Sequence, residues 1–236
     1  MTPELNNRKN RILKAIIDDY IDTAIPVGSR TIYKEYIQDF SPATIRNEMA
    51  DLEEEGLIEQ PHTSAGRIPT DSGYRHFVDN IMKAKHLSIK EKELIKEIAY
   101  NIKQDFDDAQ DSISRMFSEL LNYLTVVVSH KKQTPTTSYS GMSHMIRQPE
   151  FKDIEKTRKI IELIEHKESL TGLIDDYARE KEDFNVKIGS ENKTREFKEY
   201  SVIVTNIRNI EIGIIGPTRM SYSKIAALFD FLNQEF

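Results

Sequence analysis

The 236-residue sequence has no cysteine at all. Disulfides, thiolate zinc sites, iron–sulfur clusters and cysteine nucleophiles are thereby excluded. Glycine is sparse, with nine residues spread thinly. The pair Gly213 and Gly216 precedes a helical stretch but lacks the Lys-Ser/Thr pair of a phosphate loop. Long hydrophobic runs are also missing. Stretches such as Ala15–Ile17 and Thr125–Val128 fall far short of the roughly 20 residues a membrane helix needs. The first twenty residues carry no positive-apolar-small leader, so the expected location is cytoplasmic, with no membrane partner. Positive charge is in deficit too, since 33 basic residues face 39 acidic ones and the net charge is −6. The six histidines are scattered, and none has a second ligand at metal spacing on one helix face. The expectation is therefore a non-enzyme with no catalytic residue, no metal and no cofactor.

What remains is a well-punctuated N-terminal region. Ile12, Leu13, Ile16, Ile17, Tyr20 and Ile21 recur at helical spacing, and Pro26 and Gly28 end that helix. Ser29 reads as the N-cap of a short second helix with Ile32 and Tyr33 inward. Ser41-Pro42 opens a third, a capping hydroxyl followed by proline at the first helical position. Ile45, Met49 and Leu52 form its inner stripe, and Gly56 stops it. Leu57–Gln60 and Arg67–Pro69 read as two strands around the turn His62–Gly66, and a closing helix follows through Tyr74, Phe77, Val78 and Ile81. Three helices, a two-stranded ribbon and a closing helix are the parts of a winged helix-turn-helix.

The third helix carries the most chemistry. With Ile45, Met49 and Leu52 inward, a rotation of about 100° per residue turns Ala43, Asn47, Ala50 and Glu54 outward, flanked by Thr44 and Arg46. Ala43 permits close approach to a major groove, Asn47 can pair with an adenine edge, and Arg46 can reach guanine or phosphate. Ser41, Ala43, Thr44, Arg46 and Asn47 are thus the expected reading residues. His62, Thr63, Ser64 and Arg67 form a wing for the DNA backbone, with Ser29 and Arg30 as flanking contacts. Charge argues the other way. Residues 1–80 hold nine Lys/Arg against fourteen Asp/Glu, a net of −5, and Glu53-Glu54-Glu55 crowds the end of the reading helix. DNA binding then requires only the N-terminal half of that helix to enter the groove.

Beyond Lys83 the pattern changes. Ser88-Ile89-Lys90-Glu91 is a capping box, and a strong apolar stripe runs from Phe106 to Leu124 into Thr125–Val128. Residues 131–149 are polar and aperiodic and read as a linker. Two helices are predicted between Pro149 and Lys181, strands at Phe184–Ile188, Ser201–Ile207 and Ile210–Ile215, and a final helix bearing Ile225, Leu228, Phe229, Leu232 and Phe236.

The run from Ser41 to Asp71, SPATIRNEMADLEEEGLIEQPHTSAGRIPTD, resembles the signature of the HrcA family of bacterial heat-inducible transcription repressors. The likeness continues at Gly73-Tyr74-Arg75, Gln148-Pro149-Glu150-Phe151, Ile188-Gly189-Ser190-Glu191-Asn192 and Ile214–Met220, in family order. Ser221 departs from the aspartate usual there. The resemblance implies an α+β protein: a winged helix-turn-helix over residues 1–86, then a GAF-like domain over 87–236. It implies a homodimer on an inverted-repeat operator in double-stranded DNA, repression of chaperone genes, and tuning by the chaperonin GroEL. The family carries an inserted dimerisation region where this chain has only residues 131–149, so the body reads as abridged. Dimer contacts are then expected on Phe117, Leu121, Phe229 and Phe236. Two alternatives stand beside this reading: a ligand-sensing winged-helix regulator, and a winged helix used only to bind proteins.

Overall fold

The computed structural model describes residues 7–83, 85–104, 109–131, 133–180 and 183–236. The chain is mixed α+β and divides into two compact units. The first holds the chain up to Lys83 together with Thr218–Ser221, a return of the C-terminal chain that a boundary at residue 86 does not anticipate. The second holds the remainder. Among the described residues no helix is long and apolar enough to cross a membrane.

The first unit opens with α1 (Asn7–Thr23), whose Ile12, Leu13, Ile16 and Ile17 are fully buried. After it come α2 (Ser29–Glu35) and α3 (Pro42–Glu54). At the head of α3 the Ser41 hydroxyl accepts from the Thr44 amide at 3.1 Å. At its end Gly56 takes a left-handed φ of +73°, and the Leu57 amide reaches back to the Leu52 carbonyl at 2.9 Å, the geometry that satisfies last-turn carbonyls. Next, β1 (Ile58–Glu59) pairs antiparallel with β2 (Ile68–Pro69). The bridge between Val27 and Arg67, with hydrogen bonds of 2.8 and 2.9 Å, ties this hairpin to the α1–α2 connection. The segment α4 (Asp71–His76) continues into a wider turn at Phe77–Ile81. Gly73 of α4 lies on the hairpin so tightly that a Cβ there would stand 2.0 Å from the Leu57 carbonyl oxygen. Buried Arg219 donates to the Ile21 carbonyl at 3.0 Å, placing a cation at the negative end of α1.

In the second unit α5 (Ile89–Gln104) and α6 (Ala109–Leu121) precede a five-stranded antiparallel sheet of order β4-β3-β7-β6-β5. Its strands are β3 (Leu124–Ser129), β4 (Thr136–Ser140), β5 (Asn185–Ile188), β6 (Tyr200–Ile207) and β7 (Ile210–Pro217). Between β4 and β5 lie α7 (Met142–Ile146), α8 (Ile154–Glu165) and α9 (Lys167–Ala178), and α10 (Tyr222–Gln234) ends the chain. Val126, Val128, Val202 and Val204 share a core with Ile160, Ile164, Leu170 and Ile174 of α8 and α9. The alternating residues Val127, Ile203 and Ile214 are buried as well, so both faces are covered; α5, α6 and α10 pack together, with Phe117 and Phe229 ring centroids 5.7 Å apart.

Three expectations are corrected here. The stretch 131–149 is not a linker: it contains β4, an edge strand paired with β3 from Thr125–Ser140 to Ser129–Thr136, and then α7. Its polar side chains are engaged, with Thr137 and Thr171 hydroxyls 2.6 Å apart and Ser118 donating to Ser140 at 3.1 Å. Ser29 is the first residue of α2 rather than its cap, a role held by Gly28, and Ser29 is itself buried. The dimer candidates Phe117, Leu121 and Phe229 are 0%, 7% and 0% exposed, because the sheet and its flanking helices consume the apolar stripe. Phe236 alone of the four is open, at 42%, and it carries the Lys103 and Arg208 side chains over its ring. Phe106, at the start of the stripe, lies outside the described residues.

Candidate nucleic-acid interface

The outer face of α3 is defined by what its inner face does. Ile45 and Leu52 are fully buried and Met49 nearly so, which fixes the rotation of the helix. Ala43, Arg46, Asn47 and Ala50 are in consequence all exposed on one side. Ser41 and Thr44 sit at the entry, their hydroxyls 3.0 Å apart, with the Ser41 oxygen already committed to capping. Arg46 and Asn47 have no side-chain partner among the described residues. This end of the helix offers two small side chains, an amide, a guanidinium and a helix N-terminus, all of which suit base edges and phosphate.

Four of the five acids from Glu48 to Glu55 are paired from two directions, and exposed Glu54 has no ion-pair partner among the described residues. From α1, the Arg8 Nη1 meets Glu48 at 2.9 Å, and the Lys9 Nζ meets Glu55 at 2.6 Å and Asp51 at 3.3 Å. From the hairpin, Arg67 places Nε and Nη2 at 2.9 and 2.8 Å from one Glu53 oxygen. Arg11 forks onto Asp39 at 2.7 and 3.0 Å, and its hydrogen bonds hold that carboxyl below the ordinary aspartate range. Glu55 in turn raises the Lys9 ammonium above its usual value. Lys14 pairs with Asp18, and Arg75 with Asp79 at 3.1 Å. Within residues 7–80, the cations without an ion-pair partner among the described residues are Arg30, Lys34 and Arg46. The net of −5 is therefore unevenly spread: three cations pair four of the five acids from Glu48 to Glu55, Glu54 has no ion-pair partner among the described residues, and Arg30, Lys34 and Arg46 stand outside ion pairs on α2 and the start of α3.

The hairpin loop is divided. His62, Thr63 and Ser64 are exposed at its tip, where Ser64 adopts a φ of +76° and the Ala65 amide closes onto the His62 carbonyl at 2.9 Å. Arg67 is not with them. It lies at the base, with its backbone bridged to Val27 and its guanidinium on Glu53, so its expected place at the wing tip is corrected. Buried Ser29 is likewise removed from the flank, whereas Arg30 is exposed.

The second unit brings together a group the sequence did not disclose. His130 after β3, Asp175 on α9 and Glu211 on β7 present ligand-type atoms all within 4.8 Å of one another. Burial, reinforced by Asp175, pushes the Glu211 carboxyl up to about 7. The three residues stand on separate elements, so no local spacing announces them.

The HrcA protein C terminal domain family model matches residues 76–226. The heat-inducible transcription repressor HrcA of Pelotomaculum thermopropionicum is 31% identical, covering 98% of this chain and 95% of the relative. The repressor of the same name from Thermoanaerobacter sp. (strain X514) is 33% identical, covering 98% and 96%. These alignments run over 334 and 331 positions against a chain of 236 residues, so each relative carries many positions with no counterpart here. A solved structure described as a hypothetical protein at 2.2 Å resolution superposes with a TM-score of 0.75 at 18% identity, covering 98% of both chains, which supports the fold alone. The chain belongs to the HrcA family.

Proposed function

We propose that this chain is a heat-inducible transcription repressor whose first unit is a winged helix-turn-helix. In this reading α2 and α3 are the helix-turn-helix and α3 enters the major groove by its N-terminal half. Asn47 reads a base edge, Arg46 reaches guanine or phosphate, and Ala43 and Ala50 allow the backbone close. The loop His62–Ser64 is the wing against the sugar-phosphate backbone, and Arg30 adds a flanking phosphate contact. The observation that carries the reading is the charge arrangement on α3. Four of the five acids from Glu48 to Glu55 are paired by Arg8, Lys9 and Arg67, while its exposed, unpaired Arg46 stands beside Asn47.

An inverted-repeat operator demands two-fold symmetry in the protein, so the repressor works as a homodimer with two α3 helices in successive major grooves. The second unit is the GAF-like body. Resemblance to the family supports chaperonin GroEL as the partner that sustains the active form and releases it when heat-denatured clients compete. Footprinting on the promoter of the chain's own chaperone operon tests this. Protection of two half-sites one helical turn apart is expected, and a promoter without any protected half-site would refute it.

A further inference from the structure

We propose that His130, Asp175 and Glu211 form a binding site for a divalent transition-metal ion of the zinc class. Each ligand is held by a rigid element. Glu211 is the second residue of β7, the middle strand of the sheet, opposite Val128 of β3. The His130 amide donates to the Asn209 carbonyl at 2.9 Å, fixing the chain where it leaves β3. Asp175 lies in the last turn of α9, which packs on β3, β6 and β7.

The spacing accommodates a shared ion. The His130 Nε2 is 3.3 Å from Asp175 Oδ1 and 3.3 Å from Glu211 Oε1. Ligand atoms bound at about 2.0–2.1 Å in a tetrahedral shell stand roughly 3.3 Å apart. Polar satisfaction points the same way. Glu211 is 6% exposed, and while its Oε1 faces the His130 Nε2, its Oε2 has no hydrogen-bond partner among the described residues. A carboxylate that deep is costly unless a cation or donor faces it. Two carboxylates balance the charge of a divalent ion, and the imidazole selects the zinc class over magnesium or calcium, which prefer oxygen alone. The His130 side chain, 34% exposed, leaves an approach for the ion and a position for a water as fourth ligand. A bound ion would fasten α9 to β3 and β7.

The test uses the full chain, stripped with a chelator and dialysed. Calorimetric titration with Zn²⁺ at neutral pH should show one saturable equivalent and a raised melting temperature, with Mg²⁺ giving neither. Co²⁺ should give the intense visible bands of a four-coordinate ion. His130→Ala, at a partly exposed position, and Asp175→Asn should each weaken zinc binding by at least about tenfold, as even outer-shell changes cost 10–100-fold, and His130→Ala should lose the cobalt bands. Zinc affinity unchanged in both variants would assign the ion to other histidines and overturn the proposal. Absence of saturable binding, or only the weak bands of six-coordinate cobalt in the unsubstituted chain, would overturn it without recourse to any variant.

Discussion

Arg46→Ala and Arg67→Ala, made separately, distinguish a cation facing DNA from one engaged in the fold. Arg46 is exposed and unpaired on α3, while the helix is anchored by Ile45, Met49 and Leu52. Its replacement by a better helix former leaves the melting temperature unchanged. Losing one phosphate contact makes the slope of log K against log salt shallower by about 0.9. Between about 50 and 200 mM salt the affinity gap to the unsubstituted protein therefore narrows roughly 3.5-fold per head. Arg67 behaves differently because its guanidinium is held on Glu53 at 2.8–2.9 Å in a half-exposed pair. Arg67→Ala costs about 0.2–1 kcal/mol of stability and leaves the salt slope as it was. Fluorescence anisotropy on a labelled operator duplex across a salt series reads both. A slope flattened by Arg67→Ala and untouched by Arg46→Ala would refute the charge assignment on α3.

Asn47→Ala should weaken operator binding by about 1–3 kcal/mol and leave binding to random duplex unchanged, measured by competition. Buried His76, bonded to Asn10 at 3.0 Å, has its pKa lowered, first by desolvation. The folded chain resists a proton that the unfolded chain accepts, so this contribution is complete above the unfolded value of about 6.5 and is lost as pH falls below it. His76→Gln should flatten that part of a melting-temperature profile, and an unchanged profile would remove His76 from the account. Phe229→Ala should cost about 3–5 kcal/mol through a cavity against Phe117 and Phe184. Sedimentation at a temperature where it stays folded should show no change in dimerisation.

How much was legible in the sequence follows from how local each signal is. Ser41-Pro42 and Gly56 bound α3 in the structure as they do on paper, because caps and stops are set by adjacent residues. The Ser88 box is likewise present, with the Ser88 amide on Glu91 at 2.7 Å and the return bond at 3.2 Å. Strand β4 gives no signal in the sequence because Thr136, Thr137, Ser138, Tyr139 and Ser140 alternate no apolar face; it pairs on one edge only, and hydroxyls satisfy what apolar packing does elsewhere. The stripe through Phe117 and Leu121 is legible, but periodicity reports a buried face without saying what buries it. The place of Arg67 is not legible for a related reason, since its partner Glu53 comes to it through the fold. His130, Asp175 and Glu211 meet only when α9 closes on the sheet.

The most direct test of the central claim is the ratio of affinities of the unsubstituted chain for the inverted repeat of its own chaperone promoter and for a shuffled duplex of equal length and composition. Measured at one physiological salt concentration, the ratio should be about 10³ or greater, the usual lower range for specific recognition. A ratio near one would contradict base reading by α3.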